Sequence, residues 1–176
     1  HNRMKGELAA KLGTTTDRIR NVCIWGNHSN TQVPDTTHAV YDSPEGTVKI
    51  TDKFPQDYLQ GEFAQKIATR GGAVIKARGA SSAASAAHAA LCQMRDWVNG
   101  TRVGDFVSMA IPVPDCEPYG IKKGIIYSFP VEVSPEGQIH VVKGLEISDW
   151  VRQKMQASEE ELISERETAY KKLNIQ

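Results

Sequence analysis

The sequence predicts an α+β domain in which long helices pack as one layer on a mostly antiparallel, twisted sheet. Three observations lead to this prediction. Short β-rich segments occur in clusters, and their neighbours are joined by turns such as 43–46 and 134–137, both Ser-Pro-Glu-Gly. Long amphipathic helical patterns lie between and after the clusters. The 176 residues suffice for one ordinary core, so a single domain over 1–176 is expected.

The first helical pattern has Met4, Leu8 and Leu12 on one face and stops at Gly13. The chain begins inside this pattern, which is the appearance of a fragment cut within an element. A second helical pattern starts near Pro55. We expect a bend in it at 70–72, because the two glycines there cost roughly 2 kcal/mol relative to alanine.

Two further helices are predicted in the second half of the chain. Residues 79–99 are rich in alanine and serine, so another backbone or a flat ligand could approach this helix closely. The last helix runs from about Ser148 to Leu173, with a second segment opened by a capping box at Ser158. The glutamates 159–161 are interpreted as a solvated acidic helix start.

Strands are predicted where apolar and β-branched residues cluster between turn signals. The clearest example alternates with a period of two through Tyr127 and Phe129. The predicted strands are 22–25, 38–41, 47–51, 106–113, 125–133 and 138–142.

Composition and charge exclude several classes of protein. Hydrophobic residues make up 40% and charged residues 24%, as in globular proteins, and the net charge of zero gives no signal for nucleic acid or anionic membranes. No apolar run reaches the roughly 18 residues of a membrane span, and the first residues lack the apolar core of a signal peptide. Cys23, Cys92 and Cys116 are widely spaced, which favours reduced thiols in a cytoplasmic protein and no metal site.

Histidine is the side chain best suited to proton transfer near neutral pH, and His28 has the most suggestive position among the five. It lies in a polar loop directly after a buried-looking strand that ends at Gly26, and sites are often built in such loops. The alternative is a loop histidine that only bonds a backbone carbonyl. His88 and His140 are interpreted as structural, and His38 as a turn residue.

Arginine holds carboxylates through two parallel hydrogen bonds, which draws attention to Arg3, Arg70 and Arg78. Arg70 and Arg78 could equally be helix-end charges that satisfy terminal carbonyls. The sequence contains neither a G-x-S-x-G elbow nor a G-x-x-x-x-G-K-[ST] phosphate loop.

Several segments resemble one enzyme family. Residues 24–35, IWGNHSNTQVPD, are similar to the catalytic-histidine segment of cytosolic-type malate dehydrogenases, within the lactate/malate dehydrogenase superfamily. HNR at 1–3 resembles the start of the family's arginine motif. VIKARGASSA at 74–83 resembles the segment that brings a serine beside the nicotinamide. The resemblance covers the whole chain but only the C-terminal, substrate-binding half of the family's length.

The resemblance implies roles for three residues. His28 would accept the proton when malate is oxidised and donate it when oxaloacetate is reduced. Arg3 would bind the unreacting carboxylate of the substrate, and Ser81 would contact the cofactor at the nicotinamide end. NAD would be bound mainly by an N-terminal Rossmann half that this chain lacks. The family's aspartate partner of the histidine would stand immediately before His1.

The leading hypothesis is therefore the C-terminal half of an NAD-dependent malate dehydrogenase, a cytoplasmic oxidoreductase of malate metabolism and the tricarboxylic acid cycle. By itself the half should be inactive. The resemblance also implies a homodimer, formed by the apolar faces of 2–12 and 56–67, unless those faces simply cover the sheet. The alternatives are a non-catalytic dimerisation or structural fragment, a lactate-type relative, and an NADP-linked relative.

Overall fold

Helices and strands are arranged in clusters along the chain in the computed structural model, which describes residues 1–175. The helices are α1 (Asn2–Leu12), α2 (Gln56–Tyr58), α3 (Ala64–Arg78), α4 (Ala84–Asn99) and α5 (Asp149–Leu173). The strands are β1 (Ile19–Arg20), β2 (Cys23–Trp25), β3 (Val33–Asp35), β4 (Val40–Ser43), β5 (Gly46–Lys49), β6 (Val107–Pro112), β7 (Ile126–Val133) and β8 (Ile139–Val141). The predicted α+β class is confirmed.

All strand pairs in this part of the chain are antiparallel, but they form three small sheets and not one. The orders are β1-β4-β5, β2-β3 and β6-β7-β8. Asn21, with a φ of 56°, separates β1 from β2 and turns the chain from the first sheet to the second. A single bridge between Gly26 and Ser128 then ties the second sheet to the third.

Strand β2 is shared by two hydrophobic cores. Cys23 and Trp25 pack in one core with β6, β7 and α5, whereas Ile24 packs in the other with α1, β1 and α3. This division follows from the alternation of side chains along a strand. The short segment is therefore buried on both faces, which explains its continuous apolar sequence.

The apolar faces of α1 and of the 56–67 segment line the second core. Met4, Leu8, Phe63 and Ile67 are all 2% exposed or less within the single chain. These four side chains cover the chain's own β-structure, which is the alternative given for them, and the homodimer stays a prediction.

The long helical segment is irregular at a different place from the one predicted. Helix α3 continues through Gly71 and Gly72, because nothing obliges glycine to leave a helical conformation. The irregularity is a π-helical turn at Leu59–Phe63, which joins α2 to α3 and keeps its two end residues buried. Helix α5 is likewise one continuous helix, with Ser148 as its N-cap, so the predicted second start at Ser158 is wrong.

Helix α4 lies on the surface. None of its 16 residues, all within the described range, is buried, and Leu91 and Val98 are 69% and 67% exposed. Of the predicted helix 79–99, residues 84–99 are confirmed and 79–83 are not helical, and the helix packs in neither core. Within residues 1–175, no helix combines the length and the apolar character needed to cross a membrane.

Candidate active site

Strand β2 ends in a tight backbone turn at Gly26. This residue has a φ of 90°, which a side chain would strain, and it exchanges two backbone hydrogen bonds with Ser128 at 3.2 and 3.1 Å. A Cβ atom here would also lie 2.2 Å from the Oγ of Ser158 on α5. Glycine is thus required both by the turn and by the close approach of α5.

His28 lies two residues beyond this turn, in the loop between β2 and β3. Its side chain is exposed, and its neighbours Asn27, Ser29 and Thr31 are half-buried. The structure therefore confirms the position predicted for His28, on a polar loop at the end of a buried strand. The alternative, a histidine that bonds a backbone carbonyl, describes His38 instead, whose Nε2 is 2.9 Å from the carbonyl of Glu146.

The loop is anchored to α5 by polar side chains, which we call the anchoring cluster: Asn27, Ser29, Thr31, Ser158 and Glu161. The Glu161 carboxylate accepts hydrogen bonds from Ser29 Oγ and Thr31 Oγ1, both at 2.5 Å, and from Asn27 Nδ2 at 3.0 Å. These bonds stabilise the ionised form and lower the pKa of Glu161. Ser158 accepts from the Asn27 backbone N–H at 2.8 Å.

The interpretation of 159–161 as solvated was wrong for two of the three residues. Glu159 is 8% exposed and accepts a 2.7 Å bond from the backbone N–H of Lys122, and Glu161 is half-buried. Glu160 is exposed as expected. The acidic run is therefore a helix surface that two other segments cover.

Arg3 and the His28 loop meet on one turn of α3. Arg3 Nη1 donates to the carbonyl of Ile67 at 3.2 Å, and Gln32 Nε2 donates to the next carbonyl, that of Ala68, at 3.2 Å. Gln32 also donates to the carbonyl of Ser29 at 2.9 Å. Two segments that are 29 positions apart in the sequence are thus fixed to consecutive residues of one helix.

Arg3 borders an open cleft of about 210 Å³, whose other lining residues are Glu7, Lys66, Ile67 and Arg70. Glu7 pairs with Lys66 at 2.6 Å, so the two arginines carry the uncompensated charge of the cleft. Partial burial, and then the charge of Arg70, lower the pKa of Arg3. An anion such as a carboxylate would relieve this repulsion, and paired guanidinium groups suit its geometry.

Ser81 lies in the exposed link between α3 and α4. Its carbonyl accepts from Arg78 Nη1 at 3.0 Å, and its Oγ accepts from the Ala83 N–H at 3.2 Å. These contacts are local, and they do not join Ser81 to the His28 loop. Arg78 therefore bonds the link that follows α3, beyond the C-cap Gly79, and not a terminal carbonyl of the helix. Among residues 1–175, no group of three or more His, Cys, Asp or Glu side chains is placed to hold a metal ion.

Sequence reasoning passed over three residues that the structure brings to this region, namely Gln32, Ser158 and Glu161. Gln32 lies inside the segment that resembles a catalytic-histidine motif, so its proximity to His28 was available as a signal. Ser158 and Glu161 are 130 and 133 positions beyond His28, and nothing local in the sequence connects them to it.

Comparison with known proteins gives a consistent result. A "Malate dehydrogenase" of Cutibacterium acnes is 46% identical over 175 residues, covering 99% of this chain and 51% of the relative. A "Malate dehydrogenase, cytoplasmic" of Felis catus is also 46% identical, covering 99% of this chain and 52% of the relative. The solved structure of Trichomonas vaginalis lactate dehydrogenase in complex with NADH and oxamate matches with a TM-score of 0.93 and 40% identity, covering 98% of this chain and 52% of that chain.

The chain spans about half the length of the curated relatives it matches. Residues 1–173 match the model of the lactate/malate dehydrogenase α/β C-terminal domain. The predicted resemblance is thereby confirmed over nearly the whole sequence. The chain belongs to the lactate/malate dehydrogenase family and contains that family's C-terminal domain.

Proposed function

We propose that the chain is the substrate-binding, catalytic half of an NAD-dependent malate dehydrogenase, which interconverts malate and oxaloacetate. One observation carries the proposal: Arg3 and the loop of His28 are held on consecutive carbonyls of α3. A proton-transfer group and a carboxylate-binding group thus share one support, as a 2-hydroxy acid requires.

In the proposed reaction, His28 removes the hydroxyl proton from malate while the C2 hydrogen leaves as hydride. In the reverse direction the protonated imidazole polarises the ketone of oxaloacetate and returns the proton. Arg3 binds the unreacting carboxylate through its two-pronged guanidinium group.

When bound, NAD would supply the acceptor for this hydride. We propose that an N-terminal half binds most of the cofactor and that Ser81 contributes the contact at the nicotinamide end. Support for NAD comes from the Trichomonas vaginalis relative, whose structure contains NADH. The link between α3 and α4 that carries Ser81 is exposed, so an N-terminal half with its bound cofactor would have access to this side chain.

Malate is the preferred substrate because both curated relatives described above are malate dehydrogenases. A lactate-type reaction is the second candidate, since the relative bound to NADH and oxamate is a lactate dehydrogenase. The cytoplasmic location of the Felis catus relative supports the same location for this protein.

We further propose that the protein with both halves is a homodimer and that residues 1–176 alone lack activity. The dimer proposal rests on the family resemblance. Light scattering of the two-half protein tests it. A dimer is expected, and a monomer at all concentrations would contradict the proposal.

The test of function is oxaloacetate-dependent oxidation of NADH by the protein with both halves present, followed beside the same assay with pyruvate. We expect a higher kcat/KM with oxaloacetate. A preference for pyruvate would favour the lactate-type reaction, and no activity with either substrate would contradict the proposed function.

A further inference from the structure

The Glu161 carboxylate contacts residues on both sides of His28. It accepts from Asn27 and Ser29, the immediate neighbours of His28, and from Thr31 further along the loop. Ser158, one helical turn earlier on the same face of α5, accepts from the backbone N–H of Asn27. The loop is therefore held by three side chains of one helix, since Glu165 also accepts from Asn27 Nδ2 at 3.2 Å, while His28 itself stays exposed.

The hydroxyl protons of the anchoring cluster can be assigned to one consistent arrangement. Thr31 and Ser29 each have one proton, and both lie 2.5 Å from Glu161 Oε2. Because the Thr31 proton is used there, the 3.0 Å contact between Thr31 and Ser158 takes its proton from Ser158. Every hydroxyl proton then has one acceptor and the 2.9 Å contact between Ser29 Oγ and Thr31 Oγ1 has no proton of its own, provided that Glu161 is an ionised carboxylate and only accepts.

Helix α5 is a firm support for this contact. Ser158 and Met155 are fully buried, and the carbonyl of Met155 accepts from the Tyr127 hydroxyl at 3.2 Å. Glu159 is fixed by its bond to the Lys122 N–H at 2.7 Å. The helix cannot shift without disturbing β7, so it can hold the loop to a small tolerance.

We infer that Glu161, assisted by Ser158, is a positioning residue that fixes the His28 loop for proton transfer in the dehydrogenase reaction. This inference rests on the proposed function, because it assumes that His28 transfers the proton. Glu161 touches neither the substrate nor the imidazole in the inferred arrangement, and acts only through Asn27, Ser29 and Thr31. Its loss should therefore reduce the rate of the proton-transfer step more than the binding of substrate or cofactor.

The test compares Glu161→Gln and Ser158→Ala with the matched control Glu160→Gln, all in the protein with both halves. Glu160 is exposed and adjacent, so the control removes the same charge outside the anchoring cluster. For Glu161→Gln we expect kcat to fall by about tenfold or more, because misplacing a reacting group by about 1 Å can cost up to 10²-fold. The KM for oxaloacetate and the Kd for NADH should stay within about twofold, and the solvent deuterium isotope effect on kcat should rise.

Ser158→Ala should lower kcat in the same way, and Glu160→Gln should match the parent protein. The inference is overturned if Glu161→Gln keeps the parent kcat, or if kcat falls only together with the melting temperature and the NADH affinity. Parallel measurement of His28→Asn distinguishes a failure of the role proposed for His28 from a failure of the role inferred for Glu161. If His28→Asn turns over normally, the proposed proton-transfer role of His28 fails and the inference loses its basis, whereas a loss of turnover in His28→Asn alone overturns only the role of Glu161.

Discussion

Trp25 and Asp35 are joined across the β2–β3 hairpin by a buried hydrogen bond of 3.0 Å from the indole Nε1 to the carboxylate. Trp25 is fully buried and Asp35 is 3% exposed. The second carboxylate oxygen accepts from the backbone N–H and the hydroxyl of Thr37, at 2.9 and 2.6 Å. The hairpin that carries His28 is thus closed at its far end by a polar contact inside the core, where a missing partner is costly.

Trp25→Phe should lower the free energy of unfolding by about 2–3 kcal/mol, because it removes a donor from a buried carboxylate. Urea unfolding measures this change. Trp97→Phe is the matched control, since the Trp97 indole also makes a 3.0 Å bond, to the Gly137 carbonyl, but is 42% exposed. Its cost should stay below about 1 kcal/mol. Equal decreases in the free energy of unfolding for Trp25→Phe and Trp97→Phe would show that burial of the Asp35 carboxylate does not determine the size of the decrease.

His28→Asn in the protein with both halves should reduce turnover by a factor on the order of 10² to 10⁴ while leaving NADH binding nearly unchanged. Asparagine keeps a polar side chain in the exposed loop but cannot transfer a proton near neutral pH. Steady-state kinetics and NADH fluorescence titration measure the two quantities. His140→Asn, at an exposed position on β8, is the control and should behave like the parent protein. Normal turnover by His28→Asn would remove the assigned role.

Arg3→Lys should raise the KM for oxaloacetate by about tenfold, because an ammonium group cannot reproduce the two parallel bonds of a guanidinium to a carboxylate. The lysine would also lose the fixed donor to the Ile67 carbonyl. Arg18→Lys, at an exposed turn, is the control and should leave KM unchanged. An unaltered KM in Arg3→Lys would contradict substrate binding by Arg3.

The ion pair of Arg20 and Asp42 predicts a pH dependence of stability. Arg20 bonds both carboxylate oxygens, at 2.6 and 2.7 Å, and with Thr47 it lowers the pKa of Asp42 to about 2. Because the pKa of Asp42 is lower in the folded protein, the ion pair contributes its full stabilisation above the pKa of the same carboxyl group in the unfolded chain. That stabilisation is lost as the pH falls toward 2.

Urea unfolding at pH 7, 4, 3 and 2.5 tests this dependence. Asp42→Asn should be less stable at pH 7, and the difference from the parent protein should shrink on acidification. The effect is modest because the Asp42 side chain is 32% exposed. Asp115→Asn is the control, since that side chain is 96% exposed and its Lys123 contact is 3.4 Å. A constant difference between Asp42→Asn and the parent protein would contradict the linkage.

Gly72→Ala tests whether α3 is continuous where a bend was expected. A Cβ atom at Gly72 meets nothing within 4 Å, so the substitution should raise the free energy of unfolding by up to about 1 kcal/mol. Gly26→Ala is the opposite case and should destabilise by more than that, because of its φ of 90° and the contact with Ser158. A destabilised Gly72→Ala would indicate that the helix is in fact broken there.

Local patterns predicted six of the eight described strands, because each pattern is a local property, but they missed the short strands β1 and β3. Alternating side chains marked β7, and Gly13 marked the end of α1, where the structure has a left-handed residue. The bend was predicted at the wrong place because helix propensity describes only the local free-energy cost of each residue. Two glycines can remain helical in a helix that the buried side chain of Ile67 holds against the core. The first sheet is separated from the second at Asn21, whose positive φ no sequence pattern predicted.

The candidate site was predictable only in part, for the same reason. The buried strand, its terminal glycine and the polar loop that follows together indicated His28. The resemblance then selected Arg3 among the three candidate arginines. The contacts of Glu161 are tertiary, and an acidic run at a helix surface has the same sequence whether it is solvated or covered. The two apolar helix faces were ambiguous in a similar way, since core and interface residues share one composition.

Helix α4 has a consequence for folding that concerns the whole protein. An isolated helix of this length is marginal in water, and α4 receives little support from the two cores. Its amides should therefore exchange with solvent faster than those of β7, and a surface that covers Leu91 and Val98 would slow that exchange. The helix content of residues 1–176 would then report on the presence of a partner surface. Cooperative unfolding would extend to α4 only when that surface is bound.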